Sequence, residues 1–365
     1  MKKYCLILLF ALVSSLSTSL KSQIEYSGFE SFADETEFTK SSWESEGFTL
    51  PWVNGFDKSR GYTDDAFAKT GTKSLRIKYP ANTYGPTNNG AQAPLMVTPA
   101  NELYMSYWVR FSDNFDWGGS SEGGKLPGLG GGSRCSGCSV CTGNNGFTAR
   151  LMWRTGGKAV LYLYHMEADK TNPPCGDNLT LQSSGSDFYF KKQQWYNIIE
   201  RVKVNTGSNH DGEVELWINE EQALLTTGIQ FVSNGDKVDN LYFSTFHGGG
   251  DANWSPSVDC YTWFDEIKIA ATAEDVFTAT GLQKTKVSAA VSFYPNPVKK
   301  GSQLNLELNS ATAFQLEWFD LTGKLISSSL TTGAAAITIP DLAEGIYTLK
   351  LTSDEGVNFK KIVLE

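Results

Sequence analysis

No part of this 365-residue chain shows a sustained apolar period of 3.6, so a helical architecture is excluded. No run beyond residue 13 is apolar enough to cross a bilayer as a helix. Positive charge is in short supply: 31 Lys and Arg stand against 40 Asp and Glu, for a net charge of −9. That balance argues against nucleic acid as the main partner, because phosphate binding needs a basic surface. Histidine is scarcer still, with only three. His247, in HGGGD, has no second ligand at a metal spacing and no following helix to cradle a phosphate. His210 sits in a turn, NTGSNHDGE. His165 falls on the apolar side of its strand, where a buried structural role is expected. No metal and no cofactor are expected. Glu200 and Glu215, the carboxylates a glycosidase would need, sit on separate strands with nothing converging on them.

What the chain does have begins with MKKYCLILLFALVSSLSTSLKSQ. Two lysines, a short apolar run over 5–13 and then small polar residues read as a secretory signal peptide, residues 1–22. Export permits disulfides. Cys5 leaves with the signal. The five that remain, Cys135, Cys138, Cys141, Cys175 and Cys260, are odd in number, so at least one thiol lacks an intrachain partner. CSGCSVC fits a disulfide-pinned loop. Its spacing also suits zinc with Cys175 as a fourth ligand, and the pairing stays open.

Over 23–271 short alternating segments are separated by Gly, Asn, Asp and Ser. Residues 103–111, 147–154, 159–166, 195–204, 213–219, 240–246 and 261–270 all read as strands. Many short strands without intervening helices mean an all-β sandwich, jelly roll or barrel. The small, polar stretch 272–290 reads as a linker. Residues 291–365 then alternate again, with Leu304, Leu306 and Leu308 on one face and Leu349 and Leu351 on another, as in a small Ig-like β-sandwich.

YPNP (294–297), DLTGK (320–324), LAEGIY (342–347) and the final KKIVLE resemble the C-terminal sorting domain of the type IX secretion system. The resemblance implies that the secretion machinery is a partner. It also implies a protein that is secreted, or held on the outer-membrane surface, by a Gram-negative bacterium.

Residues 123–158 hold Lys125, Arg134, Arg150, Arg154 and Lys158 and not one Asp or Glu, a local inversion in an acidic chain. Concentrated positive potential is what a cleft for an acidic ligand needs. In FTARLMWR, Phe147, Ala149, Leu151 and Trp153 alternate with Thr148, Arg150, Met152 and Arg154, and a strand sends the two sets to opposite faces. In AVLYLY, Ala159, Leu161 and Leu163 alternate with Val160, Tyr162 and Tyr164. A hairpin that keeps both apolar sets in the core needs an odd loop, for which 156–158 is the natural choice. That register sets Arg154 against Val160, Met152 against Tyr162 and Arg150 against Tyr164. The polar ledge is then Thr148, Arg150, Tyr162 and Tyr164.

Cations beside phenols suit β-elimination on a uronic-acid polymer. A base takes the C5 proton, the C4–O bond breaks, and a cation offsets the charge that builds up next to the carboxylate. A phenol near a cation is expected to ionise more easily and to act as base, with it or a second tyrosine protonating the departing oxygen. Which tyrosine does which stays open.

GGKLPGL (123–129), the Arg150 segment ending in MWR, YLY (162–164), FSTFHGGGDANWSP and FDEI resemble polysaccharide lyase family 14. The lead-in YWVRFSDNFDW fits as well. The resemblance implies a β-jelly-roll enzyme that cuts alginate or glucuronan by metal-independent β-elimination. It puts the catalytic roles on Lys125, Arg150, Tyr162 and Tyr164. Thr148 stands where the family has serine. Thr148, Arg154, Arg110, His247 and Trp254 are expected to contact substrate, the HGGGD loop lining the groove. The glycines around Lys125 would let a sugar chain approach the backbone, and Pro127 would stiffen a turn. The chain is expected to act as a monomer on an acidic polysaccharide. The alternative is a non-catalytic carbohydrate-binding jelly roll at the cell surface.

Overall fold

The computed structural model describes residues 25–119, 123–168, 175–277, 292–307, 313–320, 324–332, 335–353 and 356–365. The signal peptide expected over 1–22 and most of the expected linker lie outside them. Two compact units divide after Phe277.

In the first unit come β1 (Glu25–Ser27), β2 (Gly61–Asp64), β3 (Ser74–Tyr79), β4 (Ala91–Ala100), β5 (Glu102–Phe111) and β6 (Gly123–Gly131). Next are β7 (Phe147–Arg154), β8 (Ala159–Tyr164), β9 (Asp177–Thr180) and the short pair β10 (Gln182–Ser183) and β11 (Ser186–Asp187). The unit ends with β12 (Trp195–Lys203), β13 (Gly212–Ile218), β14 (Glu221–Ile229), β15 (Val238–His247) and β16 (Cys260–Ala270). One sheet runs β14-β13-β12-β5-β16-β3-β2, with β1 on β16; the other runs β4-β15-β6-β7-β8-β9. The apolar faces of the two sheets share one core, crossed by contacts such as Phe243 against Phe264 at 5.0 Å between ring centroids. The expected all-β sandwich is what forms.

Alternation holds where it was read. Phe147, Ala149, Leu151 and Trp153 of β7 and Ala159, Leu161 and Leu163 of β8 all join the core. The hairpin register differs by two residues. Arg150 lies opposite Tyr162, Met152 opposite Val160 and Thr148 opposite Tyr164. The loop is Thr155–Gly157, with Gly156 and Gly157 at φ 68° and 87°, and Arg154 N–H bonds the Lys158 carbonyl at 2.7 Å. Those two glycines supply the left-handed turn, so it closes one residue earlier than expected while keeping the odd length that fixes the faces.

GGKLPGLGG is not a turn. It is β6, a central strand buried along its whole length. Between Lys125 and Gly128 its pairing with β7 shifts by one residue, a β-bulge that contains Pro127. A bulge leaves a residue out of the ladder, so the missing N–H of proline costs nothing there. The glycines serve packing within the sandwich. A Cβ on Gly124 would lie 2.0 Å from the Trp153 ring, and one on Gly128 would lie 1.9 Å from the Ala149 carbonyl oxygen.

Residues 272–277, read as the start of a linker, are packed. Ala273–Val276 forms a short helix, Val276 is buried with Ile199 and Ala270, and the Phe277 ring meets Trp217 at 5.1 Å. In the second unit, a sheet of β17 (Ser292–Tyr294), β18 (Gln303–Glu307) and β21 (Ala335–Thr338) accompanies another ordered β20 (Leu325–Thr332), β19 (Ala313–Phe319), β22 (Gly345–Ser353), β23 (Gly356–Leu364). Leu304, Leu306, Leu316, Trp318, Leu349 and Leu351 lie in its core. Leu308 falls outside the described residues.

Candidate active site

The outward face of the β6 sheet carries the site. Strand pairing places Pro94, Tyr242, Gly128, Arg150, Tyr162 and Asn178 in one row across six strands, with the paired Gln92 and Ser244 two residues along. Gly128 has no side chain to fill the middle of that row. Arg150 therefore reaches across β6, donating to Ser244 Oγ at 3.0 Å and lying 5.0 Å from the Tyr242 ring. Gln92 Nε2 donates to both the Tyr242 hydroxyl and Ser244 Oγ at 2.9 Å, fixing their orientation.

Lys125, just before the bulge, lies with Nζ 3.9 Å from the centre of the Tyr162 ring and 2.8 Å from Met152 Sδ. The Tyr164 hydroxyl donates to the Tyr162 oxygen at 3.2 Å, and the two rings meet edge-on at 5.0 Å. Arg154 stands 5.6 Å from the Tyr162 ring and bonds Asn178 Oδ1. The structure thus brings together Lys125, Arg150, Arg154, Tyr162 and Tyr164. Trp254 joins the same cluster, its ring seated on Gly249, where a Cβ would fall 2.1 Å from it.

Electrostatics alter the expected roles. Burial, then the charges of Arg150 and Arg154, push the Lys125 ammonium well below its ordinary value. Burial also lowers Arg150. Tyr162 is pushed up rather than down: burial, with the neighbouring Tyr164, outweighs the pull of Arg154. The expectation of a readily ionised phenol is therefore corrected at Tyr162. Among the described residues no carboxylate forms an ion pair with Lys125, Arg150 or Arg154, and the buried Arg150 Nε has no hydrogen-bond partner. Lys158, by contrast, pairs with Asp187 at 2.6 Å, so only part of the basic window converges.

Two expected substrate contacts do not belong to this face, and a third, Thr148, lies on it opposite Tyr164 but is covered. Thr148 is fully buried, and its hydroxyl is committed to the Cys135 carbonyl at 3.0 Å. Arg110 is on β5 of the other sheet, 4.3 Å from the Phe67 ring and bonded to the Gln193 carbonyl. His247 is fully buried among Tyr79, Phe115 and Trp153, donating Nδ1–H to the Trp254 carbonyl at 3.1 Å, and burial pushes it down to about 4. His165 is buried as expected, with Nε2 2.9 Å from Asp177.

Reasoning from the sequence missed Gln92, Tyr242, Ser244, Met152 and Asn178. The pattern YFSTFH held a signal: Phe243 and Thr245 share parity with His247, which puts Tyr242 and Ser244 on the opposite face. It also missed Trp52, 37% exposed on a segment paired to β4 through Asn54 and Gln92 and set edge-on to Tyr242 at 6.2 Å.

The cysteines resolve into two disulfides, Cys135–Cys141 and Cys138–Cys175, leaving Cys260 as a buried free thiol. The zinc alternative falls with them.

None of the curated proteins matches this chain. Among solved structures it is similar to the alginate lyase Aly36B, 26% identical with a TM-score of 0.57, over 67% of this chain and 96% of that one. That lyase, substituted at two positions, has also been solved with an alginate tetrasaccharide. The fold is likewise that of the marine PL-14 alginate lyase from Aplysia kurodai, 24% identical with a TM-score of 0.52, over 65% of this chain and 96% of that one. Residues 292–365 match the secretion system C-terminal sorting domain, which marks the chain for the type IX route. Residues 67–267, over half of the chain, match the model described as Polysaccharide lyase 14, and the chain belongs to that family of enzymes.

Proposed function

We propose that this lyase cuts a polyuronate, alginate or glucuronan, by β-elimination without a metal. The observation that carries this reading is Lys125 Nζ packed on the Tyr162 ring beside the Tyr162–Tyr164 hydrogen bond, with Arg150 Nε unpaired nearby. Arg150 takes the uronate carboxylate, which supplies the anion the site lacks and offsets charge as C5 loses its proton. The Lys125 amine, whose ammonium burial and two arginines push well below its ordinary value, removes that proton when in its neutral form. The C5–H pair forms the C4–C5 double bond while the C4–O bond breaks, and a phenol proton goes to the departing oxygen. Lys125 has gained a proton and the phenol has lost one. Transfer between these neighbours restores the enzyme with no water consumed. Lysine, arginine and phenol are poor company for a divalent cation, so chelator is expected to leave the rate unchanged.

The test is the ultraviolet absorbance of unsaturated uronate ends when the protein is incubated with alginate or glucuronan. Product is expected from at least one polymer and lost in Lys125→Ala. Binding without product in the intact protein, or full activity in that variant, refutes the assignment.

A further inference from the structure

The mechanism above leaves the loop over the tyrosines without a task. This loop, 135–141, is closed on itself by Cys135–Cys141 and tied by Cys138–Cys175 to the stretch entering β9. At its centre the Cys138 backbone N–H donates to the Tyr164 hydroxyl at 2.9 Å. Cys138 holds φ at 59°, a left-handed conformation that residues with a Cβ rarely adopt, and its side chain carries the bridge to Cys175. Tyr164 in turn donates to Tyr162 at 3.2 Å.

A backbone N–H can only donate, so it gives this chain one direction. Cys138 N–H gives to Tyr164, and Tyr164 gives to Tyr162 at 3.2 Å, with Cys138 Sγ a longer second contact at 3.8 Å; in this direction Tyr162 keeps its own proton for another acceptor. We propose that the Cys138–Cys175 bridge is a positioning device for catalysis: it holds the donor that orients the tyrosine pair and makes Tyr162 the acid that protonates the departing oxygen. When Tyr162 has given up its proton, the Tyr164 hydroxyl, itself backed by Cys138, stabilises the phenolate. Tyr164 supports Tyr162 and does not meet the leaving group.

The inference rests on the lyase reading and adds a consequence for where the enzyme works. With Cys138 and Cys175 as thiols, Cys138 is free to relax and the chain loses its fixed end. Full activity then appears only after the two thiols have passed two electrons and two protons to a disulfide-bearing oxidant. The exported enzyme meets that condition, and the chain in a reducing cell does not.

The experiment compares the oxidised full chain with the same protein treated with dithiothreitol, which gives two electrons and two protons to the bridge and leaves as a cyclic disulfide. The readout is product absorbance across polyuronate concentrations and pH. Reduction is expected to lower kcat about tenfold, the scale of losing one hydrogen bond to a charged group. KM should stay within about twofold, the falling limb of the kcat–pH profile should move to higher pH, and reoxidation with oxidised glutathione should restore the rate. The double variant Cys138→Ser/Cys175→Ser, with its fold checked by circular dichroism, should show the same loss without reductant. Tyr164→Phe breaks the chain at its next link, so it should lose a similar factor, and reducing that variant should cost nothing more. An unchanged kcat on reduction overturns the proposal. So does a loss confined to KM, or losses that multiply in Tyr164→Phe, because the bridge would then act apart from Tyr164. If the oxidised protein makes no product from any polyuronate, the lyase reading itself fails and this inference falls with it.

Discussion

Lys125→Met should kill the enzyme and stabilise it. The buried amine is next to two arginines and has no carboxylate partner, and its ammonium is pushed well below the ordinary value of 10.5. In the unfolded chain the same lysine carries its proton up to its ordinary value. At any pH between the folded and unfolded values the unfolded state binds one more proton, so wild-type stability rises with pH across that window and levels off above it. Below the folded value the lysine is charged in both states and the full penalty applies. Each unit of depression is worth about 1.4 kcal/mol. Methionine keeps the length of the side chain, packs against Met152 and the Tyr162 ring, and carries no charge to desolvate. For a unit of this size each kcal/mol moves Tm by about 2–4 °C. Calorimetry at pH 6 to 7 should therefore show the variant melting several degrees above wild type. The gap should narrow as pH rises from the folded toward the unfolded value and close beyond the latter. A variant that melts at or below wild type near neutral pH, or a gap indifferent to pH, would mean that the amine is not desolvated as the geometry requires.

Thr148→Val separates a structural hydroxyl from a substrate contact. It leaves the Cys135 carbonyl without its 3.0 Å donor, at a cost of about 1–3 kcal/mol in thermal or urea unfolding, and KM should not move. A large rise in KM with stability unchanged would return Thr148 to the groove. Trp52→Ala should raise KM on long polymer several-fold with kcat unaffected, because an exposed indole set against Tyr242 offers a ring face beyond the reacting bond. Identical KM values for the two proteins on polymer would leave Trp52 as ordinary surface.

The sequence showed the sandwich clearly because its strands bury one face each, and period-two alternation is a direct record of that. β7 was read with its observed ends, and the facing of Arg150, Tyr162 and Tyr164 followed from the parity of Leu151 and Leu163. The register was less legible. It depended on which of three successive residues formed the loop, and Thr155, with no turn preference as strong as the glycines beside it, belongs to the loop all the same. β6 was illegible for a physical reason. Glycine and proline normally mark chain ends, and only the ring of Trp153 and the backbone of β7 reveal that the space a side chain would need is already occupied. His247 was misplaced because a loop motif, HGGGD, was read ahead of the alternation that runs into it from Phe243 and Thr245. Gln92, in a strand broken by Pro94 and Pro99, gave no alternation from which to infer its contact with Tyr242.

The site also shows why a fold would keep an arrangement that costs it stability. Two cations and two phenols are drawn out of water on one sheet face, and the usual remedy, a buried carboxylate, is withheld: among the described residues none pairs with Lys125 or Arg150. A built-in Asp would satisfy Arg150 and raise the Lys125 ammonium back toward its ordinary range, leaving a protonated amine that cannot take a proton. One buried carboxyl, Glu200, is kept on the other side of β6, where it accepts from the Leu129 N–H at 2.8 Å and burial holds it well above the usual carboxylate range. There it braces β6 just past the bulge, away from the face that holds Lys125. The anion that relieves Arg150 must then arrive with the ligand, so a neutral sugar of the same shape leaves the guanidinium desolvated and unpaired. On the proposed reading, selectivity for a uronate and an amine able to take a proton come from one omission, and the same omission is what Lys125→Met would convert into thermal stability.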